Sequence, residues 1–184
     1  RYITEDENGV PWIKIGDTST GLKYVVKTAQ KITPEGAKKS RILEKGDFIL
    51  SNSMSFGRPY ILDMTGAIHD GWASISEFNA TLNPDYLYHY LSSNKVQKYW
   101  LSKINSGSVS NLNADIIKSL LVPIPCLDNS EKSLEIQKEI VCILDSFNEL
   151  TTELTTELTT ELSARKKQYN YYREQLFSFE EGDV

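Results

Sequence analysis

The sequence predicts an α+β fold, a globular mixed α/β domain followed by one long coiled-coil-forming α-helix. Three observations predict it. Short apolar runs at period two, separated by turn residues, fill the first half of the chain. A capped helix start follows at Asn83–Pro84. From residue 136 onward an apolar ladder at helical spacing carries three tandem copies of TTEL, Thr151–Leu162. Strands first and helices after them is the α+β order.

Val10–Asp17 (VPWIKIGD) alternates as a strand, and Asp17–Gly21 (DTSTG) is a turn cluster. Leu22–Val26 is a second strand. Thr33 before Pro34 starts one or two helical turns. Leu43–Asp47 turns into a strand at Phe48–Ser51, and Ser51–Pro59 is a polar loop containing Gly57. Strand character resumes at Tyr60–Leu62, a turn and strand follow at Met64–Ala67, and His69–Ser76 is strand-like again. One helix is predicted from about Asp85 to Ser102, with Tyr86, Leu87, Tyr90, Leu91 and Trp100 on its apolar side. Gly107–Asn113 is a second polar loop, Asp115–Leu120 a short helix or turn, and Leu121–Pro125 an extended, proline-stiffened segment.

The ladder then begins. Ile136, Ile140, Ile143, Phe147, Leu150 and Leu154 are spaced 4, 3, 4, 3, 4, the a/d seam of a coiled coil. Leu154, Leu158 and Leu162 follow by fours, and the seam passes Arg165 to resume at Tyr169, Tyr172 and Leu176. Each TTEL unit adds about 6 Å of helix and places its Leu roughly 40° further round, so the supercoil unwinds or reverses here and copy number sets a distance. A helix from about Leu134 to Phe177 spans roughly 65 Å, longer than a compact domain of this size is wide. Its stripe therefore calls for a partner helix. The bland alternative is low-complexity sequence without a partner, because Thr is a mediocre helix former.

The 184 residues divide into a domain at 1–130 and a helix at 131–184. Net charge is −5, but residues 1–130 carry +1 and residues 131–184 carry −6. The acidity belongs to the helix and does not exclude nucleic-acid binding by the domain. Cys126 and Cys142 lack metal-site spacing and a disulfide pattern, which suits a reducing cytoplasm. No run is apolar and long enough to span a membrane. The chain opens on Arg1 and stops just after a helix, so it reads as part of something longer.

Catalytic chemistry is not indicated. Asn83-Pro84-Asp85-Tyr86 resembles the Asn-Pro-Pro-Tyr motif of DNA amino-methyltransferases but departs at the third position. No glycine-rich loop for S-adenosylmethionine accompanies it, and an N-capped helix start explains the same residues. His69 and Asp70 adjoin no nucleophile motif, and no metal ligands cluster. Binding chemistry is better represented. Lys38, Lys39 and Arg41 form a basic cluster. Ser51, Asn52, Ser53, Ser55 and Arg58 line one polar loop, and Ser108 lies in the other. Hydroxyl, amide and guanidinium groups of this kind meet phosphates and base edges. Lys95, Lys98 and Lys103 fall near one side of the 85–102 helix. Taken singly, each lysine also fits an ordinary solvated surface.

The motifs occur in an order that resembles the specificity (S) subunit of type I restriction-modification systems. The matching pieces begin with Pro11–Asp17, Ile32–Gly36, Gly46–Ser51 and Phe56–Arg58. They continue with Pro84–Leu87, Gly107–Leu112, Pro123–Pro125, Gln137–Val141, Ile143–Phe147 and Gln168–Arg173. The resemblance covers nearly the whole chain. It departs where the family's Pro-Pro-Leu is here Pro125-Cys126-Leu127, followed by an insertion, Asp128–Ser133.

The resemblance implies one half of such a subunit: a target-recognition domain that reads one half of a split double-stranded DNA target, and a conserved helix. In that family four-residue repeats are tied to half-site spacing. The helix would pair with that of a second half or a second copy, and DNA methyltransferase (M) and restriction (R) subunits would dock around it. Those subunits bring S-adenosylmethionine and ATP chemistry; this chain would need no cofactor and would act in a bacterial or archaeal cytoplasm. Two other readings are a coiled-coil adaptor with a protein-binding head, which predicts no affinity for duplex DNA, and an adenine methyltransferase using Asn83, which predicts S-adenosylmethionine binding.

Overall fold

The computed structural model describes residues 2–19, 21–52, 57–105 and 112–178. The chain divides into two compact units, Arg1–Val141 and Cys142–Val184.

The first unit is built in layers. A five-stranded sheet has the order β1 (Ile3–Thr4), β4 (Gln30–Ile32), β2 (Val10–Ile13), β8 (Gly66–Ile68), β5 (Arg41–Leu43). A four-stranded sheet has the order β3 (Tyr24–Val25), β7 (Pro59–Leu62), β6 (Phe48–Ser51), β9 (Trp72–Ile75). Both are mixed: β2 with β8 and β3 with β7 are parallel, and the other pairs are antiparallel.

Alternation along β6 and β7 explains the layering. Ile49, Tyr60 and Leu62 point into a core shared with Ile13, Leu43 and Ile68 of the other sheet. Phe48, Leu50 and Ile61 point the other way, onto the helices α2 (Pro84–Ser92) and α3 (Asn94–Asn105), where Leu87, Leu91, Val96 and Trp100 complete a second core. All eight residues of β6 and β7 are buried, as a sheet covered on both faces requires. On the outer face of the five-stranded sheet, Ala37 of α1 (Pro34–Ala37) packs with Ile32 and Ala67.

The α+β class agrees with the sequence, while several elements differ from it. The expected strand at 10–17 ends at Ile13. Asp17 then closes a 3-10 turn by accepting hydrogen bonds from the backbone N–H groups of Lys14 and Ala29, both at 2.8 Å. The single helix expected over 85–102 is two helices broken at Ser93, whose ψ of 146° is extended. The Gln97 side chain donates to the Leu91 carbonyl at 2.7 Å across that break. Strands β1, β4 and β5 were not foreseen. They are two or three residues long and mostly part-exposed, so they lack an apolar run.

Two polar devices tie the helices in place. Asp85 of α2 accepts from Lys23 at 2.6 Å and from the Tyr24 hydroxyl at 3.0 Å. Burial works against its charge, but those two hydrogen bonds and the Lys23 charge outweigh it and hold the carboxyl below the usual range. The stiff segment after α4 (Ala114–Lys118) is pinned by tyrosine hydroxyls. Tyr90 donates to the Leu121 carbonyl at 2.7 Å and Tyr86 to the Pro123 carbonyl at 2.8 Å. Burial, aided by Tyr90, pushes the Tyr86 hydroxyl above its ordinary pKa and keeps it a donor.

The last element, α5 (Ser130–Leu176), starts earlier than about Leu134 because Asn129 caps it, accepting from the Lys132 N–H at 2.9 Å. Its first three turns belong to the first compact unit, which runs on to Val141. Ile140 and Val141 pack against the core of α2 and α3. Gln137 is fully buried: its side-chain oxygen accepts from the Asn83 N–H at 2.8 Å, and its amide donates to the Thr81 carbonyl at 3.0 Å and to Ser133 Oγ at 3.1 Å. Among the described residues, no helix is long and apolar enough to cross a membrane.

Candidate nucleic-acid interface

The polar loop of Ser51–Pro59 leaves the sheet at a tight junction. The Ser51 N–H donates to the Arg58 carbonyl at 3.2 Å, and the Gly57 N–H to the Ser51 carbonyl at 2.8 Å. Ser51 itself is buried. Asn52 is half-buried and held three ways. Its N–H donates to the Gly71 carbonyl at 3.2 Å, its side-chain amide donates to the Asp70 carbonyl at 3.3 Å, and its own carbonyl accepts from the Leu112 N–H at 3.3 Å. The last bond ties the end of the second polar loop to the start of the first. Ser53, Ser55 and Ser108, expected to bind DNA, lie outside the described residues.

Gly57 fixes the junction against α3. Its φ is +70°, and a Cβ there would meet the Trp100 ring at 2.3 Å. Gln97 also donates to the Gly57 carbonyl at 3.1 Å. Gly57→Ala is expected to cost more than about 2 kcal/mol, because backbone strain and overpacking add. Urea denaturation checks this; a midpoint within error of the parent protein would contradict it.

Beside this junction lies a cleft of about 240 Å³. Arg41, Asn52, Ser74, Asn113 and Lys118 supply its polar groups, with Trp72, Leu112 and Ile117 among its apolar ones. It has two cationic side chains and no carboxylate in its lining. Arg41, on the edge strand β5, donates to Ser74 Oγ on the edge strand β9 at 2.8 Å, joining the borders of the two sheets. Asn113 caps α4, its side-chain oxygen accepting from the Ile116 N–H at 2.9 Å. The Trp72 indole N–H, buried in the same region, has no hydrogen-bond partner among the described residues.

The other expected residues are dispersed. Lys39 donates to the Tyr2 hydroxyl at 2.6 Å and lies 4.9 Å from the centre of its ring, in a separate cleft with Trp12, His69 and Asp70. Lys38 is exposed at the end of α1. Arg58 lines a third cleft with Tyr88, Ser92 and Gln97. The cluster Lys38, Lys39, Arg41 thus diverges in space, and only Arg41 and Asn52 share a cleft. Ser74, Asn113 and Lys118 were not foreseen there. Asn113 closes a loop singled out for its polarity, whereas Lys118 and Ser74 carry no signal in the sequence.

His69 and Asn83 serve the fold. The Gly71 N–H donates to His69 Nδ1 at 2.9 Å, and Trp12 meets the imidazole edge-on at 6.1 Å. The Asn83 side-chain oxygen accepts from the N–H groups of Asp85 and Tyr86 at 2.9 and 3.1 Å, which is the N-cap.

In α5 the ladder changes character along its length. Ile136 and Ile140 are part-buried within the first unit. In the second unit Ile143, Phe147, Leu150, Leu154, Leu158, Leu162, Tyr169, Tyr172 and Leu176 are each more than half exposed, from 54% at Leu150 to 72% at Leu176. All six threonines of the repeats donate to the carbonyl four residues back, at 2.7 to 2.9 Å.

These features define a class: an α+β head bearing a cationic, amide-rich cleft, carried on a chain whose long helix leaves an apolar stripe unpartnered. The family described as type I restriction modification DNA specificity domain matches residues 3–164. The specificity subunit of the type I restriction enzyme EcoprrI from Escherichia coli is 35% identical over 178 residues, 95% of this chain and 44% of that one. The EcoR124I/EcoR124II specificity subunit of Escherichia coli is 68% identical over 63 residues, 34% of this chain and 15% of that one. A chain from a structure of a type I R-M system, solved to explain its assembly and conformational transition, shares the fold. Its TM-score is 0.72 at 18% identity, over 100% of this chain and 41% of that one. The chain belongs to the type I restriction-modification DNA specificity domain family and spans less than half the length of these relatives.

Proposed function

We propose that the chain is one half of a specificity subunit, whose head reads one half of a bipartite DNA target and whose helix sets the distance to the other half. The observation that carries this reading is the meeting of Arg41, Asn52 and Asn113 in one cleft that has two cations and no carboxylate. Such a surface attracts the phosphate backbone and offers the amide and guanidinium groups that read bases. Lys38, Lys39 and Arg58, which lie outside that cleft, serve as backbone contacts. The chain performs no chemistry. Methyltransferase subunits dock on it, restriction subunits join them, and these bring the S-adenosylmethionine and ATP reactions to DNA in the bacterial or archaeal cytoplasm.

The test is duplex binding by the complete complex, followed by anisotropy as salt is raised. Affinity is expected to fall steeply and linearly on a double logarithmic scale as phosphate contacts release counterions. A flat salt response would sink the reading and favour a protein-binding adaptor.

The helix prediction is separate. The exposed stripe of the second unit is far larger than isolated surface leucines, and such a stripe seeks cover. The chain alone is expected to sediment as a dimer at high concentration through this helix, standing in for the second half. A monomer at all concentrations would count against pairing.

A further inference from the structure

We infer that the cleft between β5, β9 and α4 reads the edge of a base pair rather than a phosphate, with Arg41, Asn52 and Asn113 as its specificity-determining residues. This rests on the DNA-reading function proposed above and narrows it to one place.

The argument is chemical. A phosphate offers only acceptors, so a phosphate site needs donors and tolerates loose ones. This cleft is mixed. Asn52 is turned by the bond from its amide to the Asp70 carbonyl, and among the described residues nothing donates to its side-chain oxygen. An outward acceptor would repel a phosphate but accepts from the amino group of adenine or cytosine. Asn113 is turned the opposite way. Its oxygen is taken by the cap of α4, which leaves its amide as a donor. Arg41 is held by Ser74 at one terminal nitrogen, which leaves its other donors for a ligand. The wall also contains Leu112, Ala114 and Ile117, the apolar contact that a thymine methyl prefers.

All three side chains are therefore oriented before any ligand arrives. Reading a base demands that order, because a donor or acceptor set wrongly rejects the right partner. Lys39, which donates to the Tyr2 hydroxyl, and Arg58 lie in other clefts, which suits backbone contact.

Three variants in the complete complex test this: Arg41→Ala, Arg41→Lys and Asn113→Ser. Lysine keeps the charge but loses the planar fork. Serine keeps a good N-cap oxygen but removes the amide donors. The methylated motif is mapped by sequencing, and duplex affinity is measured with each base pair of the half-site replaced in turn. Arg41→Lys is expected to behave like Arg41→Ala, relaxing one position by about 10- to 100-fold while the others stay selective. Asn113→Ser is expected to relax a neighbouring position with the thermal midpoint preserved.

Recovery of the parental motif and affinity by Arg41→Lys would mark a phosphate contact and overturn the inference. So would an equal loss on all duplexes, or an unchanged motif in all three variants. A parental complex with no sequence preference would instead sink the DNA-reading function itself.

Discussion

Excision of one TTEL unit, Thr155–Leu158, is expected to leave both half-site sequences of the methylated motif intact and to shorten the spacer between them. The α5 helix loses about 6 Å of length, and everything beyond the cut turns by roughly 40°. At 3.4 Å per base pair the shift is at most about two base pairs. The register survives because the lost unit takes one leucine with it and the next, Leu162, falls one helical turn from Leu154. Removing the single residue Thr156 is the informative control. It turns the downstream stripe by about 100°, brings Thr159 and Ser163 to the places of Leu158 and Leu162, and is expected to abolish pairing instead of resetting it. Methylome sequencing of cells carrying each variant reads both outcomes. An unchanged spacer after the four-residue excision would remove the ruler from the account.

Gln137→Leu is expected to be the most destabilising single substitution in the head, by about 3 kcal/mol or more. The side chain is fully buried and satisfies two backbone groups of the 81–83 segment, the Thr81 carbonyl and the Asn83 N–H. Leucine fills similar space but leaves both unpaired, and each buried orphan costs about 1–3 kcal/mol. Asn83 is also the cap of α2, so the loss spreads to that helix. Gln137→Glu offers the acceptor without the donor and buries a charge, so at neutral pH it is no remedy. Thermal or urea unfolding of the chain measures the effect. A loss under 1 kcal/mol for Gln137→Leu would show that the clamp is not what seats the start of α5.

How much was legible beforehand follows from where the information lies. Strands β6 and β7 were readable because Phe48-Ile-Leu-Ser and Tyr60-Ile-Leu are apolar on both faces, the mark of a covered sheet. Caps at Thr33 and Asn83 occur where local chemistry puts them. The break at Ser93 was hidden because apolar residues keep helical spacing across it, and what enforces it, Gln97, also reaches Gly57, forty residues away. The cleft was half legible. Arg41 and Asn52 were marked by type, but their neighbourhood depends on long-range bonds, Leu112 to Asn52 and Arg41 to Ser74. Nothing in the order of residues distinguishes Arg41 from Lys39, two positions before it, yet the two line different clefts. Gln137 looked like one more polar residue on an amphipathic helix, and only the depth of its seat shows what it does.

The threonines of the repeats have an evolutionary corollary. Each hydroxyl is satisfied by a carbonyl one turn earlier, so the second and third units are hydrogen-bonded by the unit before them. A tandem gene segment that gains or loses a copy then creates no orphaned group and asks for no second mutation. If the helix sets the spacing proposed above, slippage during replication would retune the interval between the two half-sites in one step and leave their sequences untouched.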